Sequence, residues 1–493
     1  MAALAQPIQH AFSNKHGQLL IDGKWVDAQS GKTFDVVDPA TEEVIARVAA
    51  GDAPDIDLAV KAARRAFEGK EWRSITPLQR ERLLHKLADL IEKNADELAL
   101  LESLDNGKPV KQARMADVMG SVNRLRYAAG WATKLHGVTT SPSVPGAEVL
   151  TYTLKEPVGV CGQIIPWNFP LMMAISKLAP CLAAGCVSVL KPAEQTPLTA
   201  LRLGDLILEA GFPAGVVNIV TGFGETAGAA LVDHPDVDKI AFTGSTQVGR
   251  LIGSRALASM KRVSLELGGK SPVIIGPDAD LDAAIKGAAN GIFYNQGQVC
   301  VAGSRLYASE KVFDDVVSGV AEQANKLRVG SGQAPDTQQG PLVSEEQMNR
   351  VLGFLDQGAK EGAKVHAGGE RHGNKGYFVK PTVLSNVAND SRLMQEEIFG
   401  PVVVATPYKS VDDLAAIAND TEYGLAAAIW SKDISFAHKL ARRIRAGTVW
   451  INCQNLLDTT MPFGGYKQSG LGRESGQNGV ELYVETKSVI VNL

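Results

Sequence analysis

Apolar positions along this chain recur with two different periods, and the places where the period changes mark its parts. Leu83, Leu84, Leu87, Leu90, Ile91 and Leu98 fall at three- and four-residue steps. That spacing predicts a helix over 78–104 with one core-facing stripe, and Asp105-Asn106-Gly107-Lys108-Pro109 supplies helix-stop chemistry. A second helix is expected over 56–67. Ahead of it, 18–27 and 33–39 read as short strands, with turns at Gly23-Lys24 and Gly31-Lys32, and the polar residues 1–18 as a loose arm. From Val158 to Glu266 the pattern alternates. Strand-like runs at 158–165, 188–190, 216–220, 240–242 and 263–265 are separated by helical ones at 170–184, 198–210, 225–232 and 246–258. This is the signature of an α/β fold with a parallel, doubly wound sheet, whose ligands bind beyond the carboxyl ends of the strands. A second alternating series runs from 272–276 to 448–452 and predicts a second α/β domain. Gly268-Gly269 at the joint suits a hinge or a close backbone approach.

Two stretches stand outside this alternation. Val149, Thr151 and Thr153 alternate with Leu150, Tyr152 and Leu154 within 146–154, and 481–491 is similar. Either the two form an arm that adds to another subunit's sheet edge or they pair as a hairpin within the chain. The run 171–190 has the length of a membrane span, but Lys177, Pro180 and Gly185 interrupt it. A buried helix followed by a buried strand is the better reading.

The chain has 493 residues, too many for one core, so two or three domains are expected. With 21% charged residues and net charge −4, nothing points to nucleic acid or a membrane as partner. Five scattered cysteines without a C-x-x-C pair predict free thiols in a reducing compartment, with the cytoplasm as default. Eight histidines lack ligand spacing, so no metal site is expected. The start of the chain lacks the sustained apolar core of a signal peptide.

Candidate chemistry centres on Cys300. It lies among small and amide residues, between the helix-like run 280–292 and the strand-like run 304–309. Such a junction leaves a thiol accessible and its own N–H free. A thiolate attacks carbonyl carbon readily, whereas a buried cysteine acting as a small hydrophobe is the plainer alternative. Glu266 stands between Leu265 and Leu267, where desolvation raises a carboxyl pKa and makes a general base; a strand-end glutamate paired with lysine is the competing reading. Asn168 carries an amide able to polarise a carbonyl oxygen, and with the Cys300 N–H it would form an oxyanion hole. Ser245 caps a helix start that suits an anion. Lys191 and Glu194 follow a buried strand. There they could hold ribose hydroxyls, Glu194 opposing a 2′-phosphate, or form a solvated pair.

Order and spacing carry more than any one residue. Pro166-Trp167-Asn168-Phe169-Pro170, Lys191-Pro192-Ala193-Glu194, Phe242-Thr243-Gly244-Ser245, Leu265-Glu266-Leu267-Gly268-Gly269-Lys270, the Cys300 segment, Glu396-Glu397-Ile398-Phe399-Gly400-Pro401 and Pro462-Phe463-Gly464-Gly465-Tyr466-Lys467-Gln468-Ser469-Gly470 together closely resemble the NAD(P)-dependent aldehyde dehydrogenase superfamily, from about residue 20 onward. The resemblance implies Cys300 as nucleophile, Asn168 in the oxyanion hole, Glu266 as general base and Glu474 as a second acid in proton relay. It implies NAD as cofactor, bound by Ile164, Ile165, Pro166, Trp167, Lys191, Glu194, Gly224, Phe242, Gly244, Ser245, Leu267, Glu397 and Phe399. It further implies a dinucleotide-binding domain over 1–134 and 155–266, a catalytic domain over 267–470, and a small β oligomerisation arm over 135–154 and 471–493. The assembly expected is a homo-oligomer, dimer or tetramer.

The small-molecule aldehyde would reach Cys300 along Phe169, Met172, Met173, Ser176, Tyr294, Val299, Val301, Gln454, Asn455, Leu456, Leu457 and Thr459. Many aliphatic-aldehyde members carry tryptophan at the Ser176 position, so serine should widen the tunnel. Apolar walls with few charges suit an aromatic or arylalkyl aldehyde, and the 454–461 loop looks most like that of phenylacetaldehyde dehydrogenases. A broad-range aliphatic enzyme, a CoA-acylating member and a non-catalytic relative are the alternatives. Glu266 argues against the CoA-acylating member, and intact Cys300, Glu266 and Asn168 argue against the non-catalytic one.

Overall fold

A computed structural model describes residues 17–493, so most of the arm expected over 1–18 lies outside the described residues. One sheet has eight strands: β1 Leu19–Ile21, β2 Lys24–Val26, β7 Val160–Ile164, β8 Val187–Lys191, β9 Val217–Ile219, β10 Lys239–Thr243, β11 Arg262–Glu266 and β19 Gly470–Leu471. Their order across the sheet is β19-β11-β10-β7-β8-β9-β1-β2. The five central strands run parallel, as the alternating pattern predicts. The chain winds from β7 to β9 in one direction, then crosses back to β10 and β11. The winding therefore reverses between β7 and β10, where a doubly wound sheet opens its ligand crevice.

The second sheet comprises β12 Pro272–Ile275, β13 Arg305–Ser309, β14 Lys364–Ala367, β15 Thr382–Ser385, β16 Val402–Tyr408, β17 Ala426–Trp430 and β18 Thr448–Ile451. Its order is β14-β15-β16-β13-β12-β17-β18. It is parallel except for β14. Near-continuous apolar strands such as β17 mark burial on both faces. The stretch 171–190 is a helix, Pro170–Ala184, followed by β8, and no helix among the described residues is long and apolar enough to cross a membrane.

The two outlying stretches pair with each other. Strand β6, Val149–Pro157, lies antiparallel to β20, Val484–Asn492, and with β5, Thr139–Thr140, makes a three-stranded sheet. Both long strands stay largely accessible, with Ile490 72% exposed.

Elsewhere the structure departs from the pattern. The helix expected over 78–104 is two, Pro77–Lys93 and Ala95–Asn106. Asn94 divides them because its side-chain amide turns back onto the Leu90 carbonyl at 2.7 Å, competing with the helix ladder. Over 225–232 a π-turn, Gly224–Gly228, precedes a short helix, Ala229–Asp233. Strand β4, Glu43–Ala49, pairs with β3, Thr33–Asp38, and a helical segment runs over 110–131. Neither has the strict periodicity that would have marked it.

Candidate active site

The loop that presents Cys300 is tightly held. After the helix Leu281–Phe293, the residues Asn295, Gln296 and Gly297 take φ of 48°, 59° and 71°. Left-handed backbone at two successive non-glycine residues persists only where surroundings over-determine it. Here three buried side-chain amides do so. Asn295 Nδ2 donates to the Asn168 carbonyl at 3.0 Å, Gln296 Nε2 donates to the Pro341 carbonyl at 3.1 Å, and Gln298 Oε1 accepts from the Val343 N–H at 3.0 Å. A Cβ on Gly297 would lie 2.0 Å from the Gly400 carbonyl oxygen, so only glycine fits. Cys300 emerges half-buried, and among the described residues no backbone acceptor takes its N–H. Burial raises its thiol pKa, and the Glu397 and Glu266 carboxylates push it further. The thiol is therefore neutral at rest and needs a proton acceptor.

Glu266 ends β11 and is 4% exposed. Neither of its carboxylate oxygens has a hydrogen-bond partner. Desolvation raises its pKa well above the usual carboxylate range and Glu474 adds to this; Lys177 and Arg473 oppose it without contacting it. A glutamate paired with lysine is thus not what stands here. The backbone explains how it meets Cys300. Strands β12 and β13 run parallel with Pro272 opposite Arg305, so the segments just before them lie side by side. A Cβ on Gly269 would fall 2.3 Å from the Cys300 carbonyl oxygen, the close approach expected of this glycine pair. The carboxyl edge of the first sheet thereby faces the amino edge of the second.

Asn168 is buried, and its Nδ2 donates to the Gln298 carbonyl at 2.9 Å, leaving one N–H of the amide for another acceptor. Its position comes from a polar cluster that the helix-stop reading of 105–109 did not anticipate. Lys108 Nζ lies 2.8 Å from Asp117 Oδ2, 2.8 Å from the Asn168 carbonyl and 4.1 Å from the centre of the Phe169 ring. Asn106 Nδ2 holds the Trp167 carbonyl at 2.7 Å.

The residues expected at the cofactor gather at the carboxyl edge of the first sheet. Ile164 and Ile165 close β7, and the Ile165 N–H donates to the Lys191 carbonyl at 3.2 Å. Lys191 Nζ donates to the Pro192 carbonyl at 2.7 Å and lies 3.3 Å from Glu194, whose carboxylate is one-third exposed. Phe242 lies near the end of β10, Gly244 donates its N–H to the Glu266 carbonyl at 3.0 Å, and Ser245 caps the helix Thr246–Ala258. Leu267 is buried against Gly249. Gly224 is exposed, with no atom within 4 Å of where a Cβ would stand, so the edge is open to a ligand. Pro166 and Trp167 follow β7, and the Trp167 ring meets Phe399 edge-on at 5.2 Å. Phe399 itself has φ 61°. Glu397 Oε1 accepts the Gly269 N–H at 2.9 Å, and burial raises its pKa to about 7.

Phe169, Val299 and Val301 are buried in one cluster against which Met172, Met173, Tyr294 and Cys300 pack, and Phe169 stacks on Tyr294 at 6.4 Å. Ser176 and Thr459 line a small cleft together with Arg124, Tyr127 and Ser475. Leu457 is 47% exposed. Arg124 is a charge that the reading of apolar walls did not place there. A second unanticipated residue is Lys177. Its side chain is fully buried, donates to Thr243 Oγ1 at 2.6 Å and forms an ion pair with Glu474. Its only sequence signal was an interruption of an apolar run.

The profile of the aldehyde dehydrogenase family matches residues 25–489. The Bacillus subtilis protein DhaS is 55% identical over 97% of this chain and 96% of its own. Aldehyde dehydrogenase 1A1 of Mus musculus is 51% identical over 100% of this chain and 99% of its own. Among solved structures, an NAD+ complex of aldehyde dehydrogenase from Bacillus cereus superposes with a TM-score of 0.96 at 52% identity, covering 98% of both chains.

Proposed function

The chain belongs to the aldehyde dehydrogenase family, and from that premise we propose that it oxidises an aromatic or arylalkyl aldehyde to the carboxylic acid, with NAD as hydride acceptor. The observation that carries the mechanism is Glu266, a buried carboxylate with no partner, close enough to Cys300 to shift its thiol. In this reading Cys300 loses its proton to Glu266 and attacks the aldehyde carbon. The developing oxyanion is held by the free N–H of the Asn168 amide and the Cys300 N–H. NAD, when bound, takes the hydride that the tetrahedral adduct releases. Glu266 passes the Cys300 proton outward through the Lys177–Glu474 pair; ionised again, it draws a proton from water, which attacks the thioester and releases the carboxylic acid and the Cys300 thiolate.

The residues at the carboxyl edge fit a dinucleotide: an open ledge at Gly224, a capped helix start at Ser245, and a half-buried carboxylate at Glu194 suited to ribose hydroxyls. Glu397 and Phe399 would position the nicotinamide end. The aryl preference is supported by Ser176, a small side chain turned onto the Met172 carbonyl at 2.7 Å, with Met172 packed against the cluster that holds Phe169 and Tyr294. We assign 1–134 and 155–266 to cofactor binding, 267–470 to catalysis, and 135–154 with 471–493 to an arm whose exposed β6–β20 sheet would meet another copy in a cytoplasmic homo-oligomer.

Initial rates over a panel of aldehydes with NAD and NADP test the reading. Phenylacetaldehyde should exceed acetaldehyde in kcat/KM by about tenfold, since burying a phenyl ring contributes roughly 1.5–3 kcal/mol. Ser176→Trp should lower that ratio. Equal values for both aldehydes would make the enzyme broad-range, and NADP matching NAD would remove Glu194 from the ribose.

A further inference from the structure

The cleft beside Ser176 contains a cation without a counterion. Arg124 projects from the helix Met119–Trp131 into its wall. Its Nε is buried with no hydrogen-bond partner, and its Nη1 reaches only the Gly120 carbonyl of its own helix, at 3.3 Å. Among the described residues no carboxylate lies within ion-pair distance of it. The two acidic groups that it feels are Glu474 and Asp117. Both are committed, Glu474 to Lys177 and Asp117 to Lys108 at 2.8 Å. A Cβ on Gly120 would stand 3.3 Å from Arg124 Nη1 and 3.5 Å from the Met172 sulfur. The guanidinium therefore borders the apolar wall that leads through Met172 to Phe169, Tyr294 and Cys300.

We propose that Arg124 is an anion subsite of the aldehyde channel, and that the preferred substrates bear a carboxylate at the end remote from the carbonyl. A half-buried guanidinium whose Nε is desolvated without a partner is costly, and its planar fork matches a carboxylate through two parallel N–H···O bonds. The body of such an aldehyde lies along Met172 and the Phe169–Tyr294 stack, and its acid end reaches Arg124. Met172 lies between the two ends, so the subsite acts as a ruler for chain length. The inference rests on the proposed use of this cleft as the aldehyde's route.

The experiment compares a homologous series of ω-carboxyaldehydes with their methyl esters, on the unmodified enzyme, Arg124→Gln and Arg124→Lys, with NAD saturating. The acid-to-ester ratio of kcat/KM on one preparation does not depend on how much of a variant folds. The unmodified enzyme should favour the acids by about tenfold at one chain length, mainly through KM, and that preference should weaken with ionic strength. Arg124→Gln should erase it, and Arg124→Lys should restore part of it. An acid-to-ester ratio that is the same in the unmodified enzyme and in Arg124→Gln overturns the subsite. If Ser176→Trp still changes the aryl-to-acetaldehyde ratio in that event, the channel stands and only the anion subsite falls; if it does not, both fall.

Discussion

Two buried acidic clusters, one around Lys108 and one around Glu266, are built oppositely. Around Lys108, Asp117 is in contact at 2.8 Å and Glu102 lies 3.8 Å away, all three at most 1% exposed. Burial and the Asp117 charge raise the Glu102 pKa well above the usual range, and the Lys108 charge opposes that rise. Around Glu266, burial is as deep, yet no cation touches it and both its oxygens lack partners. Lys177, the nearest candidate, is taken by Glu474. The closed cluster fixes backbone: it holds the Asn168 carbonyl and the Phe169 ring. The open one keeps a carboxylate whose proton can leave and return. Burial by itself does not distinguish a structural charge from a chemical one; the presence of a bonded partner does.

The contrast can be broken from its open side first. Cys300→Ser should lower NADH formation by several orders of magnitude, since a hydroxyl, far less acidic than a thiol, is a much poorer nucleophile before the same carboxylate base. The melting temperature should hold. Retention of more than about a tenth of the turnover would take Cys300 out of the mechanism.

Glu266→Gln should slow the NADH burst in rapid mixing and lower steady-state turnover further, by about 10²–10⁴. Because an unpartnered buried carboxyl becomes a neutral amide, stability should be unchanged or raised. Equal loss of burst and steady state would place Glu266 at the thiol step alone.

Lys108→Met acts on the closed side. It removes one partner of a buried pair and should cost about 3–5 kcal/mol of stability, read by chemical denaturation. A loss below about 1 kcal/mol would mean that water reaches the cluster.

The smallest effect is on pH dependence. Glu266 and Glu397 have folded pKa values above 4.5, Glu397 at about 7. Below about pH 4.5 both are protonated, folded or unfolded, and their contribution is fully present. As pH rises, the unfolded chain releases these protons first, so stability falls above the unfolded glutamate pKa, through the window up to about pH 7 for Glu397 and through its own raised pKa for Glu266. Glu266→Gln should flatten its part of that slope in thermal melts. Turnover should move the other way, rising with pH as Glu266 ionises. An acid limb at the ordinary glutamate pKa would contradict a desolvated base.

Cys300, Glu266 and Asn168 were legible because each sits in a short local context that carries its chemistry: amides and glycine around the thiol, leucines around the carboxyl. Lys177 and Lys108 were not. The first is 297 residues from Glu474 in sequence, and nothing local announces that pairing. Lys108 stood in a Gly-Lys-Pro helix stop, and Gly107 does end the helix at φ 90°; the same residues are also buried, because two later segments fold over them. Arg124 escaped notice because it reads as the polar face of a surface helix.

Hydrophobic period, turn chemistry and motif order are properties of short stretches of chain. They determined the two parallel sheets, the limits of most helices, the pairing candidates 146–154 and 481–491, and the positions of the proposed nucleophile and base. Which charges are paired depends on which segments become neighbours. Only the tertiary structure decided that Lys177 belongs to Glu474 and not to Glu266, that Lys108 supports Asn168, and that Arg124 borders the cleft beside Ser176 without a counterion. Electrostatic pairing acts over a few ångströms of space, and folding sets those distances independently of separation along the chain.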